Sequence, residues 1–135
     1  MAVLLDTGIL YAYYDRSDDW HARARAVVRD GAGALMVPAV VIPEVDHLLG
    51  RRLGVKARQT FYRGLIEGAY DVVDLPHDRL ARVAEIDQQF AALELGFVDA
   101  AVVALAETTA VRRIATTDRR HFEPVAAALR LELVP

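Results

Sequence analysis

Five short runs rich in apolar residues punctuate this chain: Ala2 to Leu5, Leu35 to Val37, Tyr70 to Leu75, Arg113 to Thr116 and Leu131 to Val134. Between most of them the apolar residues recur every three or four positions, the period of a helix with one face on a core. That alternation constrains the fold more than any other feature. Strands that each return through a helix lie parallel, with helices packed on both faces of the sheet. Open parallel sheets bind ligands beyond the carboxyl ends of their strands. Functional side chains are therefore sought just after the apolar runs.

The connecting segments read as follows. Thr7 to Tyr14 predicts a helix with Ile9, Leu10 and Tyr13 on one side. Arg16 to Asp19 predicts a turn, with Asp18 or Asp19 able to cap a helix carrying Trp20, Ala24, Val27 and Val28, ended by Gly31 and Gly33. Val41, Ile42, Val45, Leu48 and Leu49 mark a helix in which Pro43 is tolerable only near the first turn. Further helices are expected from about 55 to 67, from His77 to Leu93 with Leu80, Val83, Ile86, Phe90 and Leu93 inward, and over 97–109. The segment Arg119 to Arg130 separates the last two strands without an assigned element. No repeat, low-complexity tract or linker divides the 135 residues, so one domain spanning 1–135 is expected.

Four carboxylates stand in apolar company. Asp6 closes the run Ala2-Val3-Leu4-Leu5, and Glu44 lies among Val40, Val41, Ile42 and Val45. Asp99 sits within Phe97-Val98-Asp99-Ala100-Ala101, and Asp118 follows Ile114-Ala115-Thr116-Thr117. An ionised carboxylate taken out of water costs several kcal/mol unless a cation or hydrogen bonds compensate it. Four such groups point to one shared compensator, a divalent metal. Mg²⁺ and Mn²⁺ take oxygen ligands, and carboxylate clusters that hold them are machinery for phosphodiester hydrolysis. The spacing of Glu44 between Val41 and Leu48 places it toward the interior or its margin rather than in open water. Singly, Asp6, Asp99 and Asp118 each also read as a helix cap or turn residue.

Net charge is -3, which argues at first against a nucleic-acid partner. The cations nevertheless cluster: Arg16, Arg23, Arg25 and Arg29; Arg51, Arg52, Lys56 and Arg58; Arg112, Arg113, Arg119 and Arg120. They read either as phosphate-binding groups or as the product of a composition that replaces Lys by Arg. Cys is absent, which removes disulfides, zinc ribbons and thiol nucleophiles and fits a reducing cytoplasm. No apolar stretch approaches the roughly 20 residues of a membrane span, and the start Met1-Ala2-Val3 lacks the basic region of a secretory signal.

The ordered set Leu4-Leu5-Asp6-Thr7, Pro43-Glu44-Val45, Gly96-Phe97-Val98-Asp99-Ala100 and Ala115-Thr116-Thr117-Asp118-Arg119-Arg120-His121-Phe122 resembles the PIN domain, more narrowly the VapC-type toxins of bacterial toxin–antitoxin pairs. The resemblance runs end to end. It implies a three-layer α/β/α sandwich around a mostly parallel sheet of four to five short strands. It also implies an endoribonuclease, dependent on one or two Mg²⁺ or Mn²⁺ ions, that cuts a structured RNA such as tRNA or rRNA. Asp6, Glu44, Asp99 and Asp118 match the family's metal pocket, with Glu44 bound directly or through water. Thr116, and with it Thr7, matches a supporting hydroxyl. Arg16, Arg119, Arg120 and His121 are candidate RNA contacts. A homodimer and a VapB-like antitoxin presenting Arg to the acidic pocket are the implied partners.

Three rival readings set the tests. Asp6-Thr7-Gly8 is the local signature of aspartic proteases, though it occurs once and those enzymes are almost wholly β. Each of the four histidines follows a carboxylate by three residues, and Glu44 with His47 has the spacing of a di-iron helix. A silent PIN-like scaffold with a structural cation is the non-enzymatic alternative. Tyr11, Tyr13, Tyr14 and Trp20 have a helical spacing that reads as core or dimer packing before base stacking.

Overall fold

The computed structural model describes residues 1–135. Its strands are Val3–Leu5 (β1), Leu35–Pro38 (β2), Asp71–Val73 (β3), Arg113–Ala115 (β4) and Glu132–Val134 (β5). They form one sheet in the order β3-β2-β1-β4-β5, and every neighbouring pair is parallel. Leu4 at the centre pairs with Met36 on one side and Ile114 on the other. The chain steps outward from β1 to β3, then crosses back to β4 on the opposite side of β1. The direction of winding therefore switches between β1 and β4, where an open parallel sheet leaves a crevice beyond its strand ends.

Seven helices flank this sheet: Thr7–Tyr14 (α1), His21–Asp30 (α2), Ile42–Arg52 (α3), Val55–Ile66 (α4), Leu80–Gln89 (α5), Gly96–Thr109 (α6) and Arg119–Leu129 (α7). α1 packs on α2 and α3, α3 on α4, and α5 on α6. Every residue from Ala100 to Ala106 is buried, which explains why α6 is apolar all round instead of striped. Leu4, Leu5, Ile9, Leu10, Leu49, Phe61, Ile86 and Phe122 are fully enclosed. Each such side chain stabilises the fold by about 1.5–3 kcal/mol relative to exposure.

The predicted α/β layering is present, with all five strands parallel. Pro43 falls at the start of α3, where its missing N–H is harmless. Two readings need correction. The expected helix from His77 to Leu93 is a 3-10 turn (His77–Arg79), then α5, then a second 3-10 turn (Ala91–Leu93). Phe90 departs from helical angles and Leu80, expected inside, is exposed. The expected strand over Tyr70 to Leu75 pairs only through Asp71–Val73, at the sheet edge. The unassigned segment after Asp118 is α7, which carries Pro124 within it. No helix is long and apolar enough to cross a membrane.

Candidate metal centre

Asp6 directly follows β1, and its backbone N–H donates to the carbonyl of Ala115 at the end of β4 at 2.9 Å. This bond ties together the two strand ends that bound the crevice. Asp6 has the backbone position of a cap for α1, yet its side chain makes no capping bond. It accepts instead from the hydroxyl of buried Thr116 at 2.9 Å, across 110 residues of sequence. The Thr116 hydroxyl in turn accepts the backbone N–H of Asp118 at 2.9 Å. One enclosed threonine thus fixes both the acid after β1 and the turn that carries the acid after β4.

Glu44 stands in the first turn of α3 and Asp99 in the first turn of α6, while Asp118 is the N-cap of α7. With Asp6 ahead of α1, four helix N-termini carry the four acids. The partial positive charge of a helix N-terminus favours a carboxylate there, by roughly 0.3–1 kcal/mol each when exposed. This gives the sequence a local reason to place acids beside apolar runs. Glu44 is not tucked toward the interior as its spacing suggested. It is exposed, and its Oε1 accepts from the Thr7 hydroxyl at 2.5 Å, which turns it over the start of α1.

Charge confirms the proximity. Burial, reinforced by Glu44 and Asp118, pushes the Asp6 carboxyl up to about 6 despite bonds from the Thr7 backbone and Thr116. Burial, then the negative fields of Asp6 and Asp118, pushes Asp99 up to about 7, with the His121 imidazole opposing. Asp6 thus feels Glu44 and Asp118, and Asp99 feels all three of the other acids. The tightest ligand set is Asp99, Asp118 and His121, whose donor atoms all lie within 4.8 Å of one another. Nδ1 of His121 lies 2.6 Å from Asp118 Oδ2 and 3.9 Å from Asp99 Oδ2. Oxygen-rich donors gathered this closely fit a divalent cation, whose charge offsets both the burial and the repulsion that raise Asp6 and Asp99.

The remaining candidates are less central. Arg119 and Arg120 open α7 beside Asp118. Arg16 lies beyond the far end of α1, about 12 Å of helix from Asp6, and is exposed. His47 is also exposed and lines a groove with Asp46, Gly50, Arg51 and Arg58 rather than completing a site with Glu44. Tyr11 is buried and Tyr14 donates to or accepts from Tyr70 at 2.7 Å, while Arg23 stacks on Trp20. Gly8 and Thr117 stand in the motifs named above, but neither was expected to touch the other. A Cβ built on Gly8 would stand 2.2 Å from the Thr117 hydroxyl, so α1 and the turn after β4 meet through a missing side chain. The only signal was the glycine directly after Asp6-Thr7.

Two outcomes follow locally. Gly8→Ala, which in an open helix stabilises by about 0.5–1 kcal/mol, is expected here to destabilise by about 1–3 kcal/mol. The second substitution Thr117→Ala should recover most of the loss, read from urea unfolding midpoints. Thr116→Val keeps shape but strands the Asp6 carboxylate and the Asp118 N–H. It should cost about 1–3 kcal/mol and weaken divalent-ion binding by roughly 10–100-fold in calorimetric titration.

An all-parallel sheet of this order, with acids gathered at the switch between its two halves, is the architecture of a PIN domain. Residues 3–128 match the PIN domain family, and the chain belongs to it. Ribonuclease VapC26 of Mycobacterium tuberculosis is 34% identical over 120 residues, 89% of each chain, which places this chain among the VapC-type members. The fold is shared with solved structures at lower identity. VapC20 of Mycobacterium tuberculosis, a sarcin-ricin loop cleaving toxin, matches with a TM-score of 0.83 at 21% identity, covering 99% of this chain and 100% of that one. A toxin–antitoxin complex from Klebsiella pneumoniae matches with a TM-score of 0.75 at 16% identity, covering 99% and 97%. The aspartic-protease reading is set aside by the sheet, which is parallel throughout.

Proposed function

We propose that this protein is a metal-dependent endoribonuclease toxin that hydrolyses phosphodiester bonds in a structured RNA, tRNA or rRNA, and is held inactive by a small VapB-like antitoxin. The reading is supported by four acids, Asp6, Glu44, Asp99 and Asp118, standing at four separate helix starts, with the fields of Glu44 and Asp118 reaching both Asp6 and Asp99. Membership of the VapC-type group supports it, as does the name of the relative VapC26, a ribonuclease. The rRNA target is suggested by the loop that VapC20 cleaves.

Asp6, Asp99 and Asp118 would hold Mg²⁺ or Mn²⁺, and Glu44 would complete the set directly or through water. A bound dication supplies Lewis acidity, lowering the pKa of water and neutralising charge on the reacting phosphate. Thr116 keeps the Asp6 carboxylate aimed into the crevice. Thr7 does the same for Glu44, which is exposed enough to meet a water or the substrate backbone. Arg119 and Arg120, beside Asp118, would carry the neighbouring phosphates that the acids themselves repel. Attack by water leaves a 5′-phosphate and a 3′-hydroxyl, whereas attack by the RNA 2′-hydroxyl leaves a cyclic phosphate.

The partner would be recognised through the same acids. An Arg from the antitoxin, paired with them, substitutes for the cation and closes the crevice. A homodimer in the cytoplasm completes the proposal. Brief induction with sequencing of new RNA ends tests it. One dominant cut, abolished by co-expression of the antitoxin, is expected. Intact cellular RNA with Mg²⁺ or Mn²⁺ abundant would reject it.

A further inference from the structure

His121 sits where a ligand would sit. It is the third member of the closest donor group in the molecule, with Asp99 and Asp118, whereas Asp6 and Glu44 fall outside that group. Both of those acids have an oxygen engaged by a threonine hydroxyl, Asp6 by Thr116 and Glu44 by Thr7. Asp118 is bonded twice by His121: its Oδ1 accepts the backbone N–H at 3.1 Å, and its Oδ2 faces Nδ1 at 2.6 Å. The first bond, at the start of α7, holds the histidine on the acid. The second directs the ring nitrogen toward the space shared with Asp99 Oδ2. The first bond is the cap of α7, which any residue at this position would make; the second is specific to the imidazole.

We propose that His121 is a nitrogen donor to the metal, through Nδ1, and that this makes the centre selective for Mn²⁺ over Mg²⁺. The inference rests on the metal-dependent reading above and goes past it by naming the ligand that discriminates between ions. Mn²⁺ shares the oxygen preference of Mg²⁺ but accepts an imidazole nitrogen beside carboxylates more readily, because Mg²⁺ demands near-ideal octahedral oxygen geometry and dehydrates reluctantly. As a ligand, His121 would offer its Nδ1 lone pair, with the ring proton on Nε2, beside the carboxylates of Asp99 and Asp118, a mixed donor set, whereas Asp6 and Glu44 offer oxygen alone.

Spectroscopy of the Mn²⁺-loaded protein tests the assignment without any turnover. Electron spin-echo modulation should show a coupled ¹⁴N nucleus in the parent protein and lose it in His121→Ala. That variant keeps the backbone N–H that caps α7, so its helix start is retained. In competition titrations the preference for Mn²⁺ over Mg²⁺ should fall by about tenfold or more, the scale on which changes around a ligand alter metal affinity. Release of Asp118 from its histidine acts on both ions alike, so the ratio isolates the nitrogen. Bound Mn²⁺ without ¹⁴N coupling, or equal weakening of both ions, overturns the role of His121 and leaves the nuclease reading standing. If neither Mn²⁺ nor Mg²⁺ binds the parent protein, both readings are overturned.

Discussion

Asp99→Asn is expected to abolish RNA cleavage while making the metal-free protein more stable at pH 8. The two effects have one cause. Asp99 lies in the first turn of α6, largely buried, in the field of Asp6 and Asp118, and its carboxyl is pushed up to about 7. At pH 8 the parent protein must hold that group ionised against burial and repulsion, at a cost on the order of a few kcal/mol. The amide is nearly the same shape and carries no charge, so the variant avoids this cost. A gain of 1 kcal/mol raises the melting temperature of a domain this size by roughly 4 °C. Catalysis moves the other way. Loss of one preorganised electrostatic group costs about 10²–10³ in rate, and a ligand lost to an ion that all four acids share costs at least that much. Fluorogenic RNA cleavage and thermal denaturation in chelator, run on one preparation, check both halves. Cleavage that survives the substitution would favour a scaffold with a structural cation, and a variant less stable at pH 8 would remove Asp99 from the acidic cluster.

Where local rules and the tertiary structure agree, the sequence predicts the fold well. β1 is buried throughout, and β2 and β4 are buried but for Met36 and Arg113, so their apolar character was plain to read. Edge strands obey weaker demands. β3 exposes Asp71 and Val72, and its pairing stops at three residues although the apolar pattern goes on to Leu75. Periodicity also overran α5, because Phe90 and Leu93 keep the helical spacing through a break that only backbone angles reveal. α7 escaped notice for the opposite reason: Pro124 argues against a helix, and the cap that starts this one is Asp118, a residue already given to chemistry.

The candidate centre was legible as a set of residue types but not as a shape. Carboxylates beside apolar runs are rare enough to be noticed, and each stands at a helix N-terminus. Their burial is unequal, from enclosed Asp6 to exposed Glu44, a gradient that linear spacing cannot encode. The supporting contacts are longer-range still. Thr116 reaches Asp6 across the sheet, and Gly8 leaves room for Thr117; the motifs name these residues, but local spacing does not pair them. His121 was visible as an i+3 partner of Asp118, in company with three other histidines of the same spacing. Only the structure separates it from them: His21 Nδ1 meets the carbonyl of Ala12, and His47 and His77 are exposed.

The largest solution effect should be an inverted dependence of stability on pH when no divalent ion is present. Most carboxylates in folded proteins have lowered pKa values, so acid destabilises. Asp15 and Asp46 behave this way, the first through Ser17 and Tyr11, the second through Tyr62 and Arg58, and their contribution is lost only as pH falls below the ordinary carboxylate range. Asp6 and Asp99 have the opposite sign. Their folded-state values, about 6 and about 7, lie above the unfolded value near 3.8, so the folded protein binds these protons more tightly. The stability they contribute is fully present below about pH 4 and is lost as pH rises through 6 and 7. In chelator the melting temperature should therefore pass a maximum near pH 4–5, fall across pH 5–7.5, and level off once both groups are ionised. A divalent ion reverses the trend, because binding requires ionised ligands and releases their protons. At 100 times its dissociation constant it adds about 2.7 kcal/mol. Its effect should be largest at pH 8 and small at pH 5, so that curves with and without metal diverge as pH rises. Curves that rise in parallel from pH 4 to 8 would mean that these acids do not share one crevice, and the metal centre would have to be abandoned.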